Sequence, residues 1–518
     1  MTNRRNFLIG TTLGIVASGG LARAARAQAT ATLVFDPAAY ETLTRTIATG
    51  AGDRSVTYRF WKAIPYVAKP VDVTYQSLNI SQPVEIDGVA VDATRAPILF
   101  SNSVGGYMPS SVADADGIGA GGMGGPPPGG MPGVPGAAPD QAATGSNAML
   151  SHGRMVSNAE LALAAGYVVV EPGARGRTLV NAAGDYYGTA PAAIVDLKAA
   201  LRYLHANAGR VPGDTDRIVS SGTSAGGALS ALLGASGDSP LYAGLLAELG
   251  AAEAGDTLFA VGAWCPITDL DHADMAYEWN WGANPLQSGE PADQALSQSL
   301  RDGFAAYQAG LGLMRSDGAG PLSAETYGDY LLRTFMLPEA TRYLSALSDA
   351  DRASYLAANP HIGWKDGAAS FDWDGFLAHV GTRRKTLPAF DAFDLSAGEN
   401  NLFGLGTVAA RHFTGFSLRH ASGDETAEIA ADLPATLHLM NPMPFLLEGN
   451  PARARHWWIR TGAKDSDTAL TVTANLAAAA RAQGDQVDQR YYWDAGHGAN
   501  EDADDFIAWI ARVTGYRP

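Results

Sequence analysis

Arg217-Ile-Val-Ser-Ser-Gly-Thr-Ser-Ala-Gly-Gly-Ala-Leu-Ser230 opens on a β-favouring apolar pair, Ile218 and Val219. A glycine, a serine and a run of small, helix-compatible residues follow, from Ala225 to Leu233. A G-x-S-x-G between strand and helix is the setting of a nucleophile elbow. The serine there takes a strained backbone conformation, so the positions two before and two after it, Gly222 and Gly226, have no room for a side chain. Such a turn lifts the Ser224 hydroxyl to the end of a sheet and to the N-terminus of a helix. The backbone N–H of Ala225 then faces any oxyanion that forms.

Outward from this turn, strands and helices alternate. Ala190–Asn207 carries apolar residues at helical spacing, and Gly166–Val170 and Phe259–Trp264 read as buried strands. Residues 158–165 are helical in pattern. Ala96–Phe100 is a buried strand that ends in Ser101-Asn-Ser-Val-Gly105-Gly106-Tyr107, where Gly105 or Gly106 is placed to give a second oxyanion donor. Val73–Ile80 and Val84–Val91 alternate as half-exposed antiparallel edge strands do, and residues 30 to 70 have no clear period. From about Asp269 to Arg455 the alternation stops, in a helical and loop-like stretch rich in Trp, Tyr, Leu and Ala. It resumes with a strand at His456–Arg460, a helix at 468–483, a strand at Val487–Trp493 and a helix at 500–513. The pattern predicts an α/β-hydrolase fold, a mostly parallel sheet with helices on both faces, interrupted by a large, mainly helical lid. The predicted core comprises residues 30–268 and 456–518, with the lid at 269–455.

A serine nucleophile needs a base, and the base needs an acid to fix its tautomer. In this fold they follow the serine, at the ends of late strands. Asp465 comes just past the strand at His456, and His497 follows the last strand in Asp494-Ala-Gly-His-Gly498. Of ten histidines, His497 alone has that glycine-flanked position near the C-terminus. Asp465 has a competing reading as a helix N-cap, although Asp467 is the better cap by position. Asp269, Asp271, His272 and Asp274 form an acidic cluster at the lid junction, read as hydrogen-bonding structure and not as a metal site.

A formal charge of −17 argues against nucleic acid or an anionic membrane surface as partner. The single cysteine, Cys265, excludes an internal disulfide and any multi-cysteine metal site, and reads as a small buried residue. Residues 1–29 read as a twin-arginine signal peptide: Arg4-Arg5, an apolar stretch from Leu8 to Leu21 and a small-x-small cleavage site at Ala27-Gln-Ala29. That stretch is too short to span a membrane. Loss of its four arginines leaves the mature chain more acidic still, and the address is periplasmic or secreted. From Gly117 to Pro139, sixteen of twenty-three residues are Gly or Pro, too many for a packed element, so the run reads as a mobile surface loop.

Several separate motifs carry a family resemblance. Gly222-Thr-Ser-Ala-Gly-Gly-Ala-Leu-Ser230, Cys265-Pro-Ile-Thr-Asp-Leu-Asp-His-Ala-Asp274, Lys385 with Pro388-Ala-Phe-Asp391 after it, Glu399-Asn400, Asp465-Ser-Asp467 and Gly496-His-Gly498 resemble the bacterial tannases of subtype B. The likeness extends over most of residues 73–518. It implies a Ser, Asp and His esterase acting on galloyl esters, with Lys385, Glu399 and Asp467 holding the ring hydroxyls. Read alone, Lys385 is a solvated lid charge and Glu399 a loop carboxylate. The chemistry suits the implied role, because carboxylates accept from adjacent ring O–H groups and an ammonium donates to them. The Gly/Pro run is not part of the family pattern. The chain also lacks the paired cysteines of the calcium- and disulfide-containing fungal tannase and feruloyl esterase group.

The reading is thus an exported, monomeric serine esterase of galloyl or closely related phenolic esters, such as tannins and alkyl gallates, that needs no cofactor. Feruloyl or other aryl ester hydrolysis would use the same machinery. A catalytically inactive, hydrolase-like binding protein would keep the fold without an intact triad.

Overall fold

The computed structural model describes residues 33–119, 122–123, 148–151 and 154–517. The leader read at residues 1–29 lies outside them, as does most of the Gly/Pro-rich run. Four antiparallel strands come first: β1 (Glu41–Thr49), β2 (Gly52–Pro65), β3 (Ser77–Ile86) and β4 (Val89–Ala90). Six strands then run parallel: β5 (Pro97–Ser101), β6 (Val168–Pro172), β7 (Asp214–Thr223), β8 (Ala260–Trp264), β9 (His456–Gly462) and β10 (Gln486–Tyr492). Together they form one ten-stranded sheet in the order β1-β2-β3-β6-β5-β7-β8-β9-β10, with β4 beside β3. Every residue of β5, β6 and β8 is buried, which is why those segments read as small and apolar runs, broken only by Glu171 in β6.

The helices that matter for the site are α1 (Asn158–Ala164), α2 (Ala192–Ala206), α3 (Ala225–Ala235), α4 (Leu270–Trp281), α5 (Trp373–Val380), α6 (Gly398–Leu402), α7 (Leu470–Ala482) and α8 (Ala503–Thr514). Successive residues of β8 show that both faces of the sheet are covered. A Cβ on Gly234 of α3 would meet the Val261 side chain at 2.2 Å, and one on Gly262 would meet Phe506 of α8 at 2.8 Å. Side chains alternate across a strand, so α3 and α8 lie on opposite faces. This is the α/β-hydrolase fold expected from the alternation. Between β8 and β9 the described chain adds no strand to the sheet. It forms helices and one small hairpin, Gly363–Lys365 with Ala368–Ser370.

Two expectations at the N-terminal edge need correction. The segments at 73–80 and 84–91 are not separate strands: residues 77–86 form the single strand β3, which turns at Asp87 and Gly88 into two-residue β4. Asp87 and Gly88 have φ of +51° and +81°, the left-handed pair that a tight hairpin needs. Pro83 cannot donate to the ladder, and the register with β2 shifts between Thr57 and Tyr58, opposite it. The lead-in without a period contains β1 and β2. Most of β1 is exposed on both faces, so no apolar alternation marks it.

Ser224 occupies the turn between β7 and α3 at φ +59°, ψ −121°. A Cβ on Gly222 would lie 2.3 Å from the Gly226 carbonyl oxygen, and one on Gly226 would lie 2.7 Å from the Val104 carbonyl oxygen. These neighbours are backbone and cannot swing aside. Gly222→Ala is therefore expected to cost about 1–3 kcal/mol or more of folding stability. Denaturant unfolding followed by circular dichroism checks this, and a wild-type midpoint would contradict the close approach.

Candidate active site

The Ser224 turn is held from two sides. Its N–H donates to the Trp264 carbonyl at the end of β8 at 3.0 Å, and its own carbonyl accepts from Ala228 at 2.9 Å. Asn102, just past β5, donates from Nδ2 to the Ser221 and Gly226 carbonyls at 3.2 Å each and to Ser230 Oγ at 3.0 Å. One buried amide thus fastens the Gly105–Gly106 loop to the elbow. In that loop Gly106 and Tyr107 both have positive φ, +54° and +55°. The Gly106 carbonyl accepts from Arg177 Nε at 2.8 Å. Ala225 is the first residue of α3, whose opening N–H groups have no intrahelical acceptor.

His497 and Asp465 are in direct contact, Nδ1 to Oδ2 at 2.9 Å, with the Asp465 side chain wholly buried. The other Asp465 oxygen accepts the Asp467 N–H at 3.0 Å. The loops that carry them are pressed together. A Cβ on Gly462 would lie 2.3 Å from the Ala495 carbonyl oxygen, and Lys464 Nζ pairs with Asp494 at 3.2 Å. Burial disfavours the charged imidazole, and the Asp465 carboxylate at Nδ1 favours it, so the ring becomes a stable cation when Nε2 takes up a proton. The free edge of the ring faces Cys265, Nε2 to Sγ at 3.9 Å. Ser224 Oγ makes no hydrogen bond to the imidazole among the described residues.

Cys265 was legible only as a small buried residue; the signal missed was its place directly after a parallel strand, where site loops begin. Neither aspartate caps α7. Its first N–H, on Leu470, is accepted by Asn280 of α4 at 2.8 Å, so the capping reading of Asp465 and Asp467 is corrected.

Lys385, Glu399 and Asp467 converge on the same end of the sheet. Lys385 Nζ lies 3.8 Å from Glu399 Oε1 and 4.1 Å above the Phe390 ring. Glu399 sits in the first turn of α6, where an anion is favoured by the helix dipole. Asp467 pairs with Arg384 Nε at 2.9 Å, a partner the sequence reading missed. Burial raises the Asp467 pKa, and the nearby Asp465 carboxylate adds to it against His497, Arg384 and Lys385. Tyr107, behind the glycine pair, has its phenol pKa raised by burial and by the charge of Glu399. The glycine loop and the Lys385–Glu399 pair are thus electrostatic neighbours.

The acidic cluster divides in two. Asp269 accepts from His272 Nδ1 at 2.9 Å, Tyr307 O–H at 2.5 Å and Asn441 Nδ2 at 2.7 Å. Asp271 also takes an Asn441 N–H, at 3.2 Å. The His272 and Tyr307 rings stack at 3.7 Å. Asp274 faces away and accepts the Phe390 and Asp391 N–H groups at 2.7 and 3.1 Å. Asp269, Asp271 and His272 have donors close enough for an ion, yet these oxygens already serve protein donors.

Comparison with known proteins adds independent findings. The BD-FAE family model matches residues 147–300, which hold the elbow and α4. The structure of Fusobacterium nucleatum tannase is similar at TM-score 0.76 and 34% identity, over 93% of this chain and 99% of that one. Native tannin acyl hydrolase from Lactobacillus plantarum is similar at TM-score 0.73 and 33% identity, with the same coverage of 93% and 99%. A tannin acyl hydrolase in complex with ethyl gallate is similar at TM-score 0.73 and 33% identity, again over 93% and 99%. No curated protein sequence matches the chain.

Proposed function

The chain belongs to the bacterial tannase family and is a carboxylic ester hydrolase, and from that premise we propose that it hydrolyses galloyl esters through an acyl-enzyme on Ser224. The observation that carries the reading is the Asp465-Ser-Asp467 loop. It gives one carboxylate to His497 at 2.9 Å and a second, two residues on, to the Lys385–Glu399 side of the site. Chemistry and ring recognition would then be organised by one loop.

In this reading Ser224 Oγ attacks the ester carbonyl as His497 Nε2 takes its proton. Asp465 keeps Nδ1–H pointing inward, so that Nε2 is the basic nitrogen. The N–H groups of Ala225 and of Gly105 or Gly106 stabilise the oxyanion. The imidazolium returns the proton to the leaving alcohol, and water attacks the acyl-enzyme with His497 again as base. Hydrogen bonds between nucleophile and base are often long before substrate arrives, and Nε2 here lies 3.9 Å from Cys265 Sγ. Glu399 and Asp467 accept from the ring hydroxyls and Lys385 donates to them. A tannase solved with ethyl gallate supports this substrate class. The steps as written use no cofactor.

The reading keeps residues 269–455 as a lid inserted into a core of 30–268 and 456–518. It also keeps a monomer, an acidic surface unsuited to nucleic acid, and twin-arginine export to the periplasm or beyond. No helix among the described residues is long and apolar enough to cross a membrane.

Three outcomes are expected. Ser224→Ala should lower kcat for methyl gallate by several orders of magnitude with the circular dichroism spectrum unchanged, leaving about 10³-fold catalysis over water. Replacing Arg4 and Arg5 with lysine should leave unprocessed protein in the cytoplasm, read by fractionation and immunoblot. Glu399→Ala should cost about 1.5–3 kcal/mol in kcat/KM for methyl gallate and far less for 4-nitrophenyl acetate, which has no ring hydroxyls. Equal losses on both esters would make Glu399 a support of the lid or triad. A wild type faster on methyl ferulate than on methyl gallate would favour a feruloyl esterase.

A further inference from the structure

One face of α4 holds the two loops of the site at a fixed separation. Tyr277, wholly buried on that face, donates from its hydroxyl to the Ser466 carbonyl at 2.6 Å and accepts the Lys385 N–H at 3.1 Å. A single oxygen thus joins the backbone of Lys385 to the peptide between Asp465 and Asp467. Burial keeps the phenol neutral, so it has one proton to donate and a lone pair to accept with, and both are in use. Around it the Lys385 loop is held by neighbours on the same helix. Asp274, three residues earlier, accepts from Phe390 and Asp391. Glu278 pairs with the buried Arg383, which donates to the Lys385 and Thr386 carbonyls at 2.9 and 2.7 Å. The Arg383 guanidinium lies 4.9 Å over the Tyr277 ring, and Phe390 meets that ring edge-on at 6.1 Å. From the other loop, Ser466 Oγ accepts the Arg384 N–H at 3.2 Å.

We propose that Tyr277 is a positioning residue for ring recognition: its hydroxyl sets the distance between Lys385 and Asp467, and with it the pattern of ring hydroxyls that the site accepts. This rests on the reading of Lys385, Glu399 and Asp467 as the ring-hydroxyl subsite. Three adjacent hydroxyls span a fixed width on a rigid ring, so a change of a few tenths of an ångström between the groups that grip them is felt as lost affinity. The scissile carbonyl is attacked at the elbow, which Tyr277 does not touch. A purely structural tyrosine would alter stability and every substrate alike. A positioning tyrosine alters the ranking of substrates.

The test is Tyr277→Phe, which removes one oxygen and keeps the ring. Rates are measured on methyl gallate, methyl 4-hydroxybenzoate and 4-nitrophenyl acetate. Trp281→Phe serves as control, because Trp281 also bonds the Asp467 side of the site, Nε1 to the Thr468 carbonyl at 2.8 Å, without reaching Lys385. For Tyr277→Phe the expected result is a rise of about tenfold in KM for methyl gallate with kcat within about twofold. Preference for the trihydroxy ring over the monohydroxy ring should shrink by a similar factor, and 4-nitrophenyl acetate turnover should stay near wild type. The control should lose thermal stability and keep the wild-type ranking. An unchanged ranking in Tyr277→Phe, or the same change in Trp281→Phe, overturns the proposal. Equilibrium dialysis of gallate and of benzoate against Tyr277→Phe reads the same weakening for the hydroxylated ring independently of turnover. A wild type with no preference for the hydroxylated ring overturns the subsite reading and the proposal with it, and is recognised before any variant is made.

Discussion

The backbone at Ser224 is the constraint on which the rest depends. A non-glycine residue at φ +59°, ψ −121° costs on the order of 1–3 kcal/mol and persists only where its surroundings leave no alternative. Here they do not. Gly222 and Gly226 approach until neither has room for a methyl group, Trp264 accepts the Ser224 N–H, and Asn102 ties three points around the turn to the loop after β5. Since β5, β7 and β8 are neighbouring parallel strands, all of these contacts come from the same end of the sheet. The loops after β9 and β10 end there too, and they bring Asp465 and His497.

The long segment between β8 and β9 meets this rigid end through α4. Asp274, Tyr277 and Glu278 face the 383–391 loop, and Asn280 and Trp281 reach the 468–470 backbone at the start of α7. The Glu278–Arg383 pair is buried on both sides, an arrangement that is expensive to break because it would strand a charge in the interior. Lys385 and Asp467 therefore sit on loops that the fold holds firmly while keeping their own side chains partly open to solvent. Firm backbone with reachable charge is what recognition of a small rigid ring asks for.

Much of this is legible in the sequence, for identifiable reasons. The elbow was readable because steric crowding leaves glycine as the sole solution at 222 and 226. The contact between His497 and Asp465 could be anticipated because both follow late parallel strands, in loops flanked by glycine or by charge. β1 and β2 were not, since an exposed edge hairpin has no apolar period to read. Asn102, Cys265 and Tyr277 were opaque for a different reason. Their partners lie 119, 232 and 108 residues away, and nothing local to a polar or small residue says what it meets across that distance. The helix cap at Leu470 failed in the same way, because the acceptor comes from α4 and not from the residues just before the helix. Lys385 and Glu399 are each an unremarkable charge in the sequence, and only the fold shows them 3.8 Å apart.

Labelling the purified mature protein with a fluorophosphonate, in the presence and absence of gallate, tests the central claim most directly. The account predicts one adduct, on the peptide that contains Ser224. Loss of methyl gallate hydrolysis should track labelling, and gallate should slow both. Full labelling of Ser224 with methyl gallate hydrolysis intact, or inactivation with the adduct on another residue, would contradict it.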